Sequence, residues 1–161
     1  MYRSGNYFIS KMNGHMNLMW RARYGAITGL RSEPASIAHA VAVDKNGNIV
    51  VTGGAGTLKY DPDGRVQWES PETGSTLHLD RFGNVILLKS VARDDGIYQP
   101  ELVKFNADGT SRWRTRFHDR SPYDNSAAGL VTDEAGHIYF CTQNGEQSTI
   151  VKFVERGHLK E

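Results

Sequence analysis

The groups best able to do chemistry in this sequence are few, and they sit in connections between apolar runs. His118-Asp119, with Arg120 and Asp124 close behind, sets an imidazole beside carboxylates, the material of acid–base chemistry or of a metal site. Neighbours in sequence point apart on a strand, however, and no third or fourth ligand accompanies the pair, so a polar loop is the favoured reading. Asp94 and Asp95, with Tyr98 three residues further on, could contact a cation or a polar ligand. Asp61, Asp63, Asn106 and Asp108 resemble part of an oxygen-ligand calcium loop, but neither place has the further oxygen ligands and closing Glu that such a loop needs; both read as hairpin turns. Gly53-Gly54-Ala55-Gly56 is too short to cradle a phosphate, and no GxSxG, HExxH or CxxC occurs. No catalytic residue, metal ligand or cofactor is assigned. Asp94, Asp95, Tyr98, His118 and Asp119 remain as candidate ligand-binding residues on loops.

A more regular feature is Trp113-Arg114-Thr115-Arg116-Phe117, which matches Trp20-Arg21-Ala22-Arg23-Tyr24 in phase. Alternation places both arginines on one face of a strand and the aromatic residues on the other. An anion or nucleic-acid stripe would look like this. So would a solvated outer strand whose charges discourage edge-to-edge pairing, and that reading is favoured because Glu69 and Pro71 interrupt the pattern in the next copy. The overall balance agrees: 19 basic and 18 acidic residues leave a formal charge of +1, without the basic excess of a dedicated nucleic-acid binder.

The elements that must position these residues follow from a repeat. A lysine stands nine residues before each of Trp20, Trp68 and Trp113, at Lys11, Lys59 and Lys104, and Lys152 continues the series. From Lys11 to Lys59 is 48 residues, from Lys59 to Lys104 is 45, and from Lys104 to Lys152 is 48. Between them runs a second marker, Asp-x-x-Gly-Asn/His, at Asp44–Asn48, Asp80–Asn84 and Asp133–His137, each flanked by apolar runs. That is strand, tight turn, strand, with an Asp that caps its own turn and a Gly that accepts positive φ. The lysine-to-tryptophan segments supply a second hairpin, turning at Asp61-Pro62-Asp63-Gly64 and Asn106-Ala107-Asp108-Gly109. No helical period survives beyond a turn, so the chain reads as all-β, in four-stranded antiparallel meanders.

The segment DKNGNIVVTGGAGTLKYDPDGRVQWES resembles the bacterial seven-bladed β-propeller repeat family (SBBP) and is similar, more loosely, to NHL-type and PQQ-type propeller repeats. The resemblance runs from about Tyr7 to Glu161. It implies blades packed radially about a central channel, the first strand of each innermost and the fourth outermost. The units are 7–24 (third and fourth strands only), 36–70, 75–117 and 126–161, forming a single partial propeller domain of about 3.5 blades. Such a chain is expected either to be a fragment of a longer propeller or to complete a ring with copies of itself. Two copies would bring 28 strands, as in a seven-bladed ring.

A length of 161 residues and an apolar fraction of 39% suit a soluble globular domain, with mean hydropathy −0.51. No run approaches the length needed to span a membrane as a helix, and the N-terminus lacks the pattern of a secretory signal. Cys141, the single cysteine, lies in the strand run Ile138–Cys141 and is expected to be buried and inert. His39 and His78 fall on first strands, where packing with one hydrogen bond is expected. Function is expected in loops 25–35, 53–56, 69–75, 89–101, 118–126 and 142–148. The favoured role is a non-catalytic binding or scaffold module facing a protein or glycan, with neither nucleic acid nor membrane as partner. The alternatives are a calcium-dependent lactonase or lyase working in a propeller channel, and a truncated propeller without activity of its own.

Overall fold

A computed structural model describes residues 6–25, 37–117, 125–144 and 147–155. Every element among them is a β-strand, and no helix occurs among the described residues. Two strands, β1 (Asn6–Met12) and β2 (Leu18–Gly25), form a hairpin. A four-stranded sheet follows in chain order: β3 (Ala38–Val43), β4 (Ile49–Gly53), β5 (Gly56–Tyr60) and β6 (Val66–Ser70). A second four-stranded meander comprises β7 (Thr76–Leu79), β8 (Val85–Ala92), β9 (Tyr98–Phe105) and β10 (Ser111–Arg116). The last sheet holds β11 (Asn125–Thr132), β12 (Ile138–Asn144) and β13 (Gln147–Phe153). The chain divides into two compact units, Met1–Leu77 and His78–Glu161.

Among the described residues, one turn design closes seven hairpins. The residue that opens the turn donates its N–H to the carbonyl four residues on and accepts, through its own carbonyl, the N–H of the residue three on; Asn13, Asp44, Asp61, Asp80, Arg93, Asn106 and Asp133 all do so. Where the opener is Asp or Asn its side chain can also collect backbone donors, as Asp44 Oδ1 does from Asn46 and Asn48 at 2.9 Å each. The residue three on sits at positive φ and is Gly in six of the seven, including Gly47 at 80° and Gly96 at 83°. The seventh is Met16, at φ 62°. Asp61–Arg65 and Asn106–Thr110 are thus hairpin turns, as their sequences suggest.

The two sequence markers prove to be partners. Lys59 Nζ lies 3.3 Å from Asp44 Oδ2, and Lys104 Nζ lies 3.3 Å from Asp80 Oδ2, each pair nearly devoid of solvent. A lysine on the third strand thereby clamps the turn between the first and second strands of its own sheet. The three tryptophans also occupy matching places: Trp20, Trp68 and Trp113 stand directly across from Lys11, Lys59 and Lys104, each beside a register shift.

Sheet packs on sheet within each unit. In the first, Ile9 and Ala22 of the hairpin rest against buried Val51, Leu58 and Tyr60, and the Trp20 ring stacks on Tyr60 with centroids 6.3 Å apart. In the second, Ile86, Leu88 and Leu102 meet Leu130, Ile138 and Phe140, and Trp113 lies 5.3 Å from Phe153. Tyr60 and Phe153 each follow a repeat lysine, so both units use the same aromatic joint. Burying these side chains contributes on the order of 1.5–3 kcal/mol apiece.

Cys141 departs from expectation. It is exposed, because Phe140 and Thr142 take the inward positions and alternation turns the thiol outward, opposite exposed Ile150.

Candidate functional site

The segment 89–101 reads as a long loop in sequence but is mostly strand. β8 runs on to Ala92 and β9 starts at Tyr98, leaving only the turn Arg93–Ile97. Asp94 and Asp95 therefore sit at the tip of a long hairpin. Asp95 accepts the Ile97 N–H at 3.1 Å and is ion-paired with Arg93. The Ile97 N–H first, and the Arg93 guanidinium after it, hold its carboxyl below the ordinary range. Tyr98 is exposed while its neighbour Gln99 is buried, so the two side chains serve opposite faces of the sheet.

The Gln99 face is strongly polar. Register places Lys89 of β8 and Arg116 of β10 directly across from Glu101 of β9. Glu101 is fully buried, and its carboxylate meets three cations. Arg116 Nε donates to Oε2 at 2.8 Å, while Lys89 Nζ at 3.2 Å and Arg114 Nη1 at 3.4 Å flank Oε1. Burial by itself would raise the Glu101 pKa; Arg116 and Lys89 outweigh it and keep the group ionised. The arginines of this strand share one face, as alternation requires, but they enclose a buried carboxylate and are not simply solvated.

Beside this cluster opens a cleft of about 400 Å³, lined by Arg93, Asp94, Asp95, Gln99 and Arg116. Of the sequence-derived candidates it gathers Asp94 and Asp95; Tyr98 belongs to the same hairpin but the other face. His118 and Asp119 lie outside the described residues. In sequence, Arg116 belongs to the Trp113–Phe117 stripe, where a solvated outer strand is favoured over an anion site, and Gln99 and Glu101 carry no site role. The one available signal was a Glu in the apolar strand run of β9, opposite a strand with two arginines on one face.

A larger cavity of about 650 Å³ in the second unit lies between the turns of two sheets and includes Asp80, Lys104, Arg112, Asp133, His137 and Glu155. Most of its charged groups are committed to one another, while the Arg81 guanidinium lies over the Phe82 ring at 4.6 Å. Lys104 reaches Glu155 at 2.8 Å as well as Asp80, and Arg112 reaches Glu155 at 3.0 Å. Asp133 holds His137 Nδ1 at 2.7 Å and accepts the Tyr139 hydroxyl at 3.0 Å. Burial opposes ionisation of Asp133, yet the side-chain and backbone hydrogen bonds from His137 take its pKa down to about 2. The histidines on first strands each make one hydrogen bond: His39 Nδ1 with the Gly74 carbonyl at 3.1 Å, His78 Nε2 with Thr132 Oγ1 at 3.0 Å. Among the described residues, no three His, Cys, Asp or Glu side chains converge as a metal site would require.

No family model and no curated protein matches this sequence. Among solved structures, it is similar to a crystal structure of a protein of unknown function from Bacteroides caccae, at a TM-score of 0.43 and 14% identity. The match covers 94% of this chain and 59% of that one, so this chain spans about three fifths of the other's length.

Proposed function

We propose that this chain is a series of β-propeller blades that acts as a non-catalytic binding module, with the β8–β9 hairpin and its cleft presented to a protein or glycan partner. The observation that carries the reading is how the ionisable groups are divided. Every carboxyl among the described residues whose pKa is displaced is displaced downward, with a named structural partner to explain it. A general acid or base working near neutrality calls for the opposite. The long hairpin, by contrast, projects polar groups around a cleft. The blade reading is supported by the recurring sheet-to-sheet joint, Trp20 on Tyr60 and Trp113 on Phe153, one in each unit.

The test is a screen of the full chain against a glycan array and a displayed peptide library, beside the double variant Asp94→Ala/Tyr98→Ala. Ligands that the parent retains and the variant loses support the module. Equal retention by both proteins, or no ligand for either, counts against it.

We further propose that copies of the chain complete one another. Phe8, Leu18 and Met19 of the β1–β2 hairpin and Ile150 of β13 are exposed apolar side chains on strands, which is surface that a partner copy would bury. Light scattering that finds only monomer across a hundredfold range of concentration would remove this second proposal and leave the first.

A further inference from the structure

We infer that the cleft beneath the β8–β9 hairpin binds a carboxylated sugar, such as a uronic acid residue of a glycan, with Arg116 receiving the carboxylate and Gln99 and Asp94 receiving hydroxyl groups. This rests on the binding-module reading and names its ligand class.

Gln99 is the starting point. It is only 5% exposed, it lines the cleft, and its carboxamide has no hydrogen-bond partner among the described residues. Among the described residues the sealed-off side-chain atoms without a hydrogen bond are Glu101 Oε1 and Trp113 Nε1, so the Gln99 stem is buried while its amide keeps contact with solvent in the cleft, where a ligand can reach it. The group can both donate and accept, which matches a hydroxyl better than an ion.

Arg116 supplies the charge. Its Nε is committed to Glu101, and neither Nη has a partner among the described residues. The Glu101 bond anchors the guanidinium plane and leaves its outer edge for a ligand. A planar pair of N–H donors matches a carboxylate in bidentate fashion. Arg93, the other cation of the cleft, is neutralised by Asp95.

With Asp95 paired to Arg93, Asp94 is the carboxylate of the wall that narrows the choice of anion. It would repel a doubly charged phosphate more than a singly charged carboxylate at Arg116, and it is left to accept sugar hydroxyls. A cleft of about 400 Å³ lies in the range of small-ligand sites.

The test is titration of the full chain, by calorimetry and by NMR, with oligogalacturonate, its neutral methyl ester, acetate and inorganic phosphate. The free acid is expected to bind at least tenfold more tightly than the methyl ester, acetate or phosphate. Gln99→Met, which keeps an unbranched side chain without the amide, and Arg116→Lys, which keeps the charge without the fork, should each weaken binding at least tenfold. Thermal midpoints of both are measured alongside, with Lys45→Ala, on an exposed turn of the other unit, as a variant that retains parental affinity. Equal binding of acid and methyl ester, acetate or phosphate matching the acid, or full affinity in a folded Gln99→Met protein would each overturn the assignment. Should no uronate bind while other glycans or peptides are retained through Asp94 and Tyr98, this inference fails and the binding module stands.

Discussion

The two units join their sheets at the same place by different chemistry. In the first, Lys11 Nζ and Trp20 Nε1 both donate to the Pro62 carbonyl, at 2.9 and 3.0 Å. Pro62 stands three residues after Lys59, and in the second unit the residue three after Lys152 is Glu155. There Lys104 and Arg112 converge on a side-chain carboxylate at 2.8 and 3.0 Å, where the first unit offers a backbone oxygen. Every residue carries a backbone carbonyl, so the turn position is free to vary; a carboxylate in the same place strengthens the joint and makes it depend on charge. The difference extends to the strand residue three before the lysine, which is Phe8 in the first unit and Glu101 in the second. Where its sheets meet, the first unit relies on packing and on hydrogen bonds to a backbone carbonyl, the second on packing and an ion network.

The largest contrast should come from that last pair of positions. Glu101→Ala removes the buried carboxylate on which Lys89, Arg114 and Arg116 converge, and should cost about 3 kcal/mol, since breaking a buried ion pair strands its partners. Phe8→Ala, at an exposed site, should cost about 0.5 kcal/mol or less. Urea unfolding of both variants measures this, and similar losses would erase the distinction between the units.

Acid should act unevenly for the same reason. Among the described residues, Asp44 and Asp61 of the first unit are held below their ordinary pKa. In the second unit Asp80, Asp95, Glu101, Asp108, Asp133 and Glu155 are. A carboxyl depressed on folding stabilises fully above its unfolded value, here 3.8 for Asp and 4.5 for Glu, and that stability disappears as pH falls through the folded value. Asp133, at about 2, marks the lower end of the window. NMR resonances of the second unit should therefore broaden or move at higher pH than those of the first during an acid titration. Loss of both sets together would contradict the unequal dependence on ions.

The joints themselves give the next effect. Lys104→Met leaves Asp80 and Glu155 without their shared cation and should cost about 2 kcal/mol, whereas Lys11→Met removes one hydrogen bond to a carbonyl and should cost about 1 kcal/mol. Salt at 0.5 M should weaken the parent more in the second unit than in the first, as seen by local hydrogen exchange.

Two glycines of the same turn design separate backbone cost from packing. Gly64 and Gly136 have φ of 86° and 84°. A Cβ at Gly136 meets nothing within 4 Å, while one at Gly64 would fall 2.8 Å from the Trp20 ring. Gly136→Ala should cost about 1 kcal/mol for its backbone alone, and Gly64→Ala about 2 kcal/mol because the Trp20 joint must also shift. Equal melting temperatures for the two would mean that Trp20 does not pack on that turn in solution.

Much of this was legible in sequence because it depends on local spacing. Lysine to tryptophan at nine residues is the length of a hairpin with a five-residue turn, and Asp-x-x-Gly-Asn spells out the hydrogen bonds that the turn makes. What spacing cannot express is which marker meets which: that Lys59 seeks Asp44 follows only once the third strand lies beside the turn. The Arg93–Ile97 turn was missed because an Arg opens it, though Gly96 stands where the design requires. Gln99 carried no signal at all. A lone Gln in a strand becomes informative only when neighbouring strands have buried it beside an arginine. Cys141 misled because an apolar run suggests burial on both faces, while the last sheet exposes one.

The smallest effect, and the cleanest test of the turn design, lies in the first hairpin. Six turns put Gly at the position of positive φ, and Asn13–Asn17 puts Met16 there at φ 62°. The side chain is 76% exposed, so it contributes little packing in return for the strained backbone. A non-Gly residue in the left-handed region costs roughly 1 kcal/mol, against which Gly adds entropy to the unfolded chain. Met16→Gly should therefore stabilise the protein by about 0.5 kcal/mol, raising the urea midpoint without changing its slope. Met16→Ala separates the two contributions, because it removes the exposed thioether and keeps the strain; it should leave stability near the parental value. A gain from Ala equal to that from Gly would locate the cost in the side chain, and the first hairpin would then obey a different rule from the other six.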